Sequence, residues 1–219
     1  MTWLLVAAGV VVAGGAAIAV AGRDPRLATG GALVALVFSP FVADPLPGSP
    51  ELAFGVVAGV LAAYLLVLAA RHAGHAASPP LGVPATLAAG AAAFVAGLGS
   101  QAVGLPAFGP TAALAAGLAC LVIVVPPLAR ASGAFRLGIA LVILLSGGLL
   151  VHGGMAGTPA PLELLAGGLA LVLVAATAAA LTIAAARARS DVAGEVAREV
   201  AAPRLPVAME TTRTRRPQA

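Results

Sequence analysis

The chain has 219 residues, of which 61% are hydrophobic and only 9% charged, and its formal net charge is +4. Soluble domains carry about 25% charged residues, so a mean hydropathy of +1.07 excludes an ordinary water-facing surface. The single cysteine, Cys120, excludes an intrachain disulfide or a thiolate metal cluster. The basic balance does not imply nucleic acid, because the arginines follow a membrane pattern.

In chain order, apolar stretches run over residues 3–22, 27–43, 52–70, 85–104, 111–129, 137–152 and 162–186. Most approach the ~20 residues needed to cross ~30 Å of hydrocarbon. The runs are continuously apolar rather than alternating, so the expected spans are α-helices. The first stretch lacks a positive n-region and is too long for a signal peptide, so it reads as a retained span. The second is short and broken near Pro40. Between the second and third lies the proline-rich turn 44–51, which is expected not to be helical. Pro126 and Pro127 are expected to break or kink the fifth helix near its end.

Charge placement predicts orientation. Lysine is absent, and all twelve cations are arginines. Arg23, Arg26, Arg71, Arg130 and Arg136 fall in the first, third and fifth loops, and the remaining seven follow residue 186. The second, fourth and sixth loops carry only Asp44, Glu51 and Glu163. With seven spans, the positive-inside rule puts the N-terminus outside and the C-terminus in the cytoplasm. The expected fold is therefore an all-α polytopic transmembrane bundle over residues 1–189 in a bacterial inner membrane. Residues 190–219 form a cytoplasmic tail. Ser190 and Asp191 can cap a short helix there, running through Ala201, with a frayed extension of the seventh helix as the alternative. Beyond Pro203 the composition predicts disorder. Arg213, Arg215 and Arg216 are the candidate contacts to anionic lipid or a partner.

Chemistry-bearing residues are sparse. No Asp, Glu or Arg lies in the middle third of any span, and ionisable residues there are the usual mark of a membrane site. His72 and His75 have metal-ligand spacing but no acidic or cysteine neighbour, so a solvated loop is the expected role. No cofactor or metal is expected, nor catalysis by this chain alone. The candidates are instead helix-packing glycines and small polar groups. Gly55 and Gly59 form a small-xxx-small motif, and Gly147, Gly148, Gly167 and Gly168 also permit close helix approach. Ser100 and Gln101 are the most polar adjacent pair and a candidate hydrated pocket. Tyr64 is a further polar group in the third span.

Several short stretches resemble component E of hydrogenase-4-type membrane complexes, a relative of the small subunit K of respiratory NADH:quinone oxidoreductase. They are the basic break at Arg23 to Arg26, the end of the third span at Leu68-Ala69-Ala70-Arg71, and Arg136 opening the sixth. Pro161-Leu162-Glu163-Leu164-Leu165 opens the seventh, which closes at Ala186-Arg187 and Ala188-Arg189. The resemblance implies about seven spans, and partners among the other membrane subunits of a proton-translocating complex. That family keeps acids inside the membrane for a lateral proton path. Here residues 138–151 contain none, so the relay does not carry over and a scaffolding or sealing role is implied. Subunit J of the same enzyme is a weaker resemblance, through Tyr64. Two other readings remain open: a small permease or channel interrupted at Pro40, and a membrane anchor recruiting a partner through its arginine tail.

Overall fold

The computed structural model describes residues 2–43, 48–73, 83–100, 111–129, 133–157 and 160–201. Among them there is no strand. The elements are α1 (Thr2–Ala21), α2 (Pro25–Phe38), a 3-10 turn (Ser39–Val42), α3 (Ser49–His72), α4 (Val83–Leu98), α5 (Thr111–Ala129), α6 (Ala134–Ala156) and α7 (Pro161–Ala201). Six of these helical segments are long and apolar enough to cross a membrane, the architecture of a multi-pass membrane protein, whereas α4 is shorter. At 1.5 Å per residue, the 20 residues of α1 span about 30 Å.

Local chemistry accounts for the boundaries. Asp24 caps α2, its carboxylate accepting the Arg26 N–H at 2.9 Å, and Pro25 occupies the first turn, where its missing N–H is harmless. Pro40 converts the end of that span into the 3-10 turn. The fourth helix ends at Leu98, short of the expected residue 104: Gly97 and Gly99 weaken helix propensity there, and Gly99 and Ser100 form a turn. Residues 101–104 lie outside the described set. Helix α5 continues to Ala129 through Pro126 and Pro127. Helix α6 ends on Gly157, whose φ of 89° suits a residue without a Cβ; its N–H returns to Gly153 O at 3.1 Å.

The chain divides into two compact units, Met1–Ala186 and Arg187–Ala219. In the first, α1, α2, α5 and α6 form the inner set: α1 packs on α2 and α5, and α6 packs on α5 and α2. Helix α3 packs on α2 and α6, while α4 packs on α1 and α5. The core is mostly alanine, with Val12, Leu36, Leu66, Ile123, Val142 and Ile143 as the larger fully buried side chains. Large apolar side chains also cover the outside, including Val57, Val95, Leu169 and Leu173. A bundle apolar within and without is suited to lipid rather than water.

In the second unit the helical residues 187–201 belong to the same helix that begins at Pro161. The expected separate short helix capped by Ser190 is not formed. The Ser190 hydroxyl instead donates to Arg187 O at 2.6 Å, a bond back along the helix rather than an N-cap. Alanines at 184, 185, 186 and 188 favour continuation.

Candidate functional site

Glycines set how closely the helices approach. A Cβ at Gly15 would lie 2.8 Å from Ala35 N and Gly31 O, and one at Gly31 only 2.5 Å from Ala19 N. Helices α1 and α2 therefore meet backbone to backbone. A Cβ at Gly59 would stand 2.9 Å from Leu36 O, locking α3 to α2. On α5 and α6, a Cβ at Gly117 would lie 2.7 Å from Gly147 O, one at Gly147 2.8 Å from the Cys120 Cβ, and one at Gly154 2.7 Å from Leu114 N. Gly138 abuts Ala178 of α7. These pairings run antiparallel, so the helix ends segregate. Gly22, Arg23, Arg26, Arg71 and Arg136 belong to one end of the bundle, and Glu51, His152 and Glu163 to the other.

At the arginine-bearing end, Arg136 Nη2 donates to Gly22 O at 3.4 Å, tying α6 to the end of α1. At the opposite end, α3 and α7 begin with the same device. The Glu51 Oε2 accepts the Gly48 N–H at 3.1 Å, and Glu163 Oε2 accepts the Ala160 N–H at 3.1 Å. Each glutamate reaches back one turn to satisfy an N–H that the helix itself leaves unpaired. Glu163 also faces His152, Nε2 to Oε2 3.8 Å, with both side chains about half exposed. Exposed pairs of this kind contribute little. Substituting His152 with Gln is therefore expected to change stability by less than ~1 kcal/mol. Replacing Glu163 with Ala also removes the cap and is expected to cost about 0.3–1.5 kcal/mol. Unfolding titrations in mixed micelles measure both.

Beneath these caps lies a partly open cavity of about 150 Å³ bordered by α2 and its 3-10 turn, α3, α6 and α7, with Ala113 of α5 at its edge. The Pro40 turn and Gly55 form one wall, and Gly153, Gly167 and Gly168 form much of another. Leu36, Leu150 and Leu171 supply apolar bulk. The polar groups on its wall are Glu51, Ser39 and Ser146, and the Ser39 hydroxyl already donates to Leu36 O at 2.9 Å.

The sequence-derived candidates are dispersed relative to this cavity. Gly55 lines it, and a Cβ there would sit 3.1 Å from Pro40 Cγ. Gly59 and Gly147 lie in interhelical contacts instead, while a Cβ at Gly148 would meet nothing within 4 Å. Tyr64 is 62% exposed and is not on the cavity wall. Ser100 is buried with its Oγ unpaired, away from the cavity. Gln101, His75, Arg213, Arg215 and Arg216 lie outside the described residues. His72 ends α3, its Nδ1 3.1 Å from Leu68 O. Among the described residues, no group of three or more His, Cys, Asp or Glu is placed to hold a metal.

Glu51, Ser146 and Leu171 were not singled out as a site from the sequence. The available signals were the proline break at Pro40 and the paired glycines at 167 and 168, which together leave space beside a shortened α2. Compared with protein families, with curated proteins and with solved structures, the chain matches none.

Proposed function

We propose that this chain is a non-catalytic accessory subunit of a hydrogenase-like or NADH dehydrogenase-like proton-translocating membrane complex in the bacterial inner membrane. Its N-terminus is outside, its tail is cytoplasmic, and its role is to seal and brace neighbouring subunits. The observation that supports this reading is the chemistry of the buried polar side chains. Among the described residues they are Thr29, Thr86, Ser100, Ser146 and Thr182, all hydroxyls. Thr29 and Thr182 donate to carbonyls of their own helices, Arg26 O and Ala178 O. Hydroxyls of this kind do not take up and release protons near neutral pH, whereas proton paths in membranes are lined by Asp, Glu or His. The backbone-to-backbone contacts of the inner helices add rigidity, as a brace requires.

The test is purification from the native membrane in mild detergent, with mass spectrometry of the associated chains. Antiporter-like and redox subunits are expected in fixed ratio with this one, and to persist when residues 190–219 are deleted. Recovery of the chain alone, or only with itself, contradicts the proposal. The cavity beside the Pro40 break favours a second reading, a small-solute permease. Solute flux through vesicles holding the purified chain alone would select it.

A further inference from the structure

The cavity between α2, α3, α6 and α7 has a chemistry of its own, independent of the accessory-subunit reading. About 150 Å³ is room for roughly five waters at the ~30 Å³ each occupies in the liquid. Each such water needs two to four polar partners. The wall offers Glu51, Ser39 and Ser146, too few to keep the space hydrated. Apolar cavities of this size take up small apolar groups instead. The space is also elongated. Its wall on α6 extends from Ser146 to Gly157, about 16 Å of helix at 1.5 Å per residue. One end lies at the level of Glu51, in the first turn of α3, and the other at Leu36 and Leu171, inside the apolar spans. A polar mouth over a long apolar shaft is the shape of an amphiphile.

Charge selects the head group. Among the described residues, this end carries Glu51, Glu163 and His152 and no arginine, and lysine is absent from the chain. Glu51 uses Oε2 for the Gly48 N–H, and a carboxylate has acceptor capacity for further donors. An ammonium head is attracted to such a mouth and an anionic one repelled. We propose that this cavity is a lipid site that holds the aliphatic chain of an amine-headed membrane lipid, with its ammonium at Glu51.

The test uses the full chain in a neutral detergent and a long-chain primary alkylamine carrying a photoactivatable diazirine near its far end. The matching alcohol serves as control. Adducts are expected on peptides covering residues 146–171, several-fold more from the amine than from the alcohol. Phosphatidylethanolamine should compete with the amine, and phosphatidylglycerol should not. Glu51→Gln should reduce amine labelling to the alcohol's level. Gly153→Leu should lower labelling by both probes about tenfold. A Cβ at Gly153, on the cavity wall, meets nothing within 4 Å, so the substituted side chain starts in open space. Ser146→Leu fills the deeper end as a second variant, and circular dichroism establishes that each variant is folded. Labelling spread over outward faces such as Val57 and Leu173, or unchanged by Gly153→Leu, overturns the proposal. So does equal labelling by amine and alcohol, or a failure of phosphatidylethanolamine to compete.

Discussion

Replacing Gly31 with leucine is expected to abolish the stable bundle, while the same change one residue earlier, Gly30→Leu, is expected to be nearly silent. A side chain at Gly31 would start 2.5 Å from Ala19 N and 2.6 Å from Gly15 O. Both atoms belong to the α1 backbone, which cannot rotate aside as a flexible side chain would. Helices α1 and α2 would have to separate, losing dispersion contacts along the whole interface between them. In a membrane those contacts are a principal attraction between helices, because burial from water no longer drives their association. Overpacking a tight core costs typically 1–3 kcal/mol. Gly31→Ala is expected to cost about that much, and Gly31→Leu more. A Cβ at Gly30 meets nothing within 4 Å, so the neighbouring substitution controls for any general effect of leucine on helix α2. Denaturation in mixed micelles, followed by circular dichroism, reads both variants.

A single arginine in place of Leu173 is expected to cripple membrane insertion of α7. Leu173 is 56% exposed and lies twelve residues after Pro161, about 18 Å along the helix, near the middle of a bilayer. Translocon measurements put a central arginine at about 2.5–3.5 kcal/mol unfavourable. On a water-facing surface the same exposed position would accept arginine freely and gain solubility. The membrane-integrated fraction of Leu173→Arg in an insertion assay, set against Leu173→Ala, separates the two cases. Little loss for alanine and a steep loss for arginine are expected.

Much of the bundle was legible because helix ends in this sequence are marked by residues with an unambiguous physical effect. Pro25 and Asp24 start α2, and Pro40 breaks it. Pro50 with Glu51 and Pro161 with Glu163 start α3 and α7, and arginines close α3 and open α6. The continuation of α7 past residue 186 was harder to read, because a change from apolar to charged residues signals an exit from the membrane and not the end of a helix. The alanine-rich stretch there supports helix equally well in water.

The cavity was not legible for a different reason. Glu51, Ser146 and Leu171 are each ordinary in isolation and come together only where α6 packs antiparallel to α3 and α7. With 27 glycines in the chain, the partner of any one cannot be read from spacing. Gly147 and Gly148 illustrate this directly. They are adjacent and chemically identical, yet a Cβ on the first would meet the Cys120 Cβ at 2.8 Å and one on the second would meet nothing within 4 Å. Helix rotation decides the difference, and rotation is set by the partners.

The proposed orientation puts the two ends of this bundle on opposite sides of a membrane, arginines inside and acids outside. The most direct measurement is labelling of single cysteines by a membrane-impermeant maleimide in intact cells, in a Cys120→Ala background. Cysteines placed at Gly48 and Ala160 are expected to react from outside. Those at Gly133 and Arg26 should react only after the cells are opened. Reaction of all four in intact cells, or of Gly133 and Arg26 alone, would contradict the account.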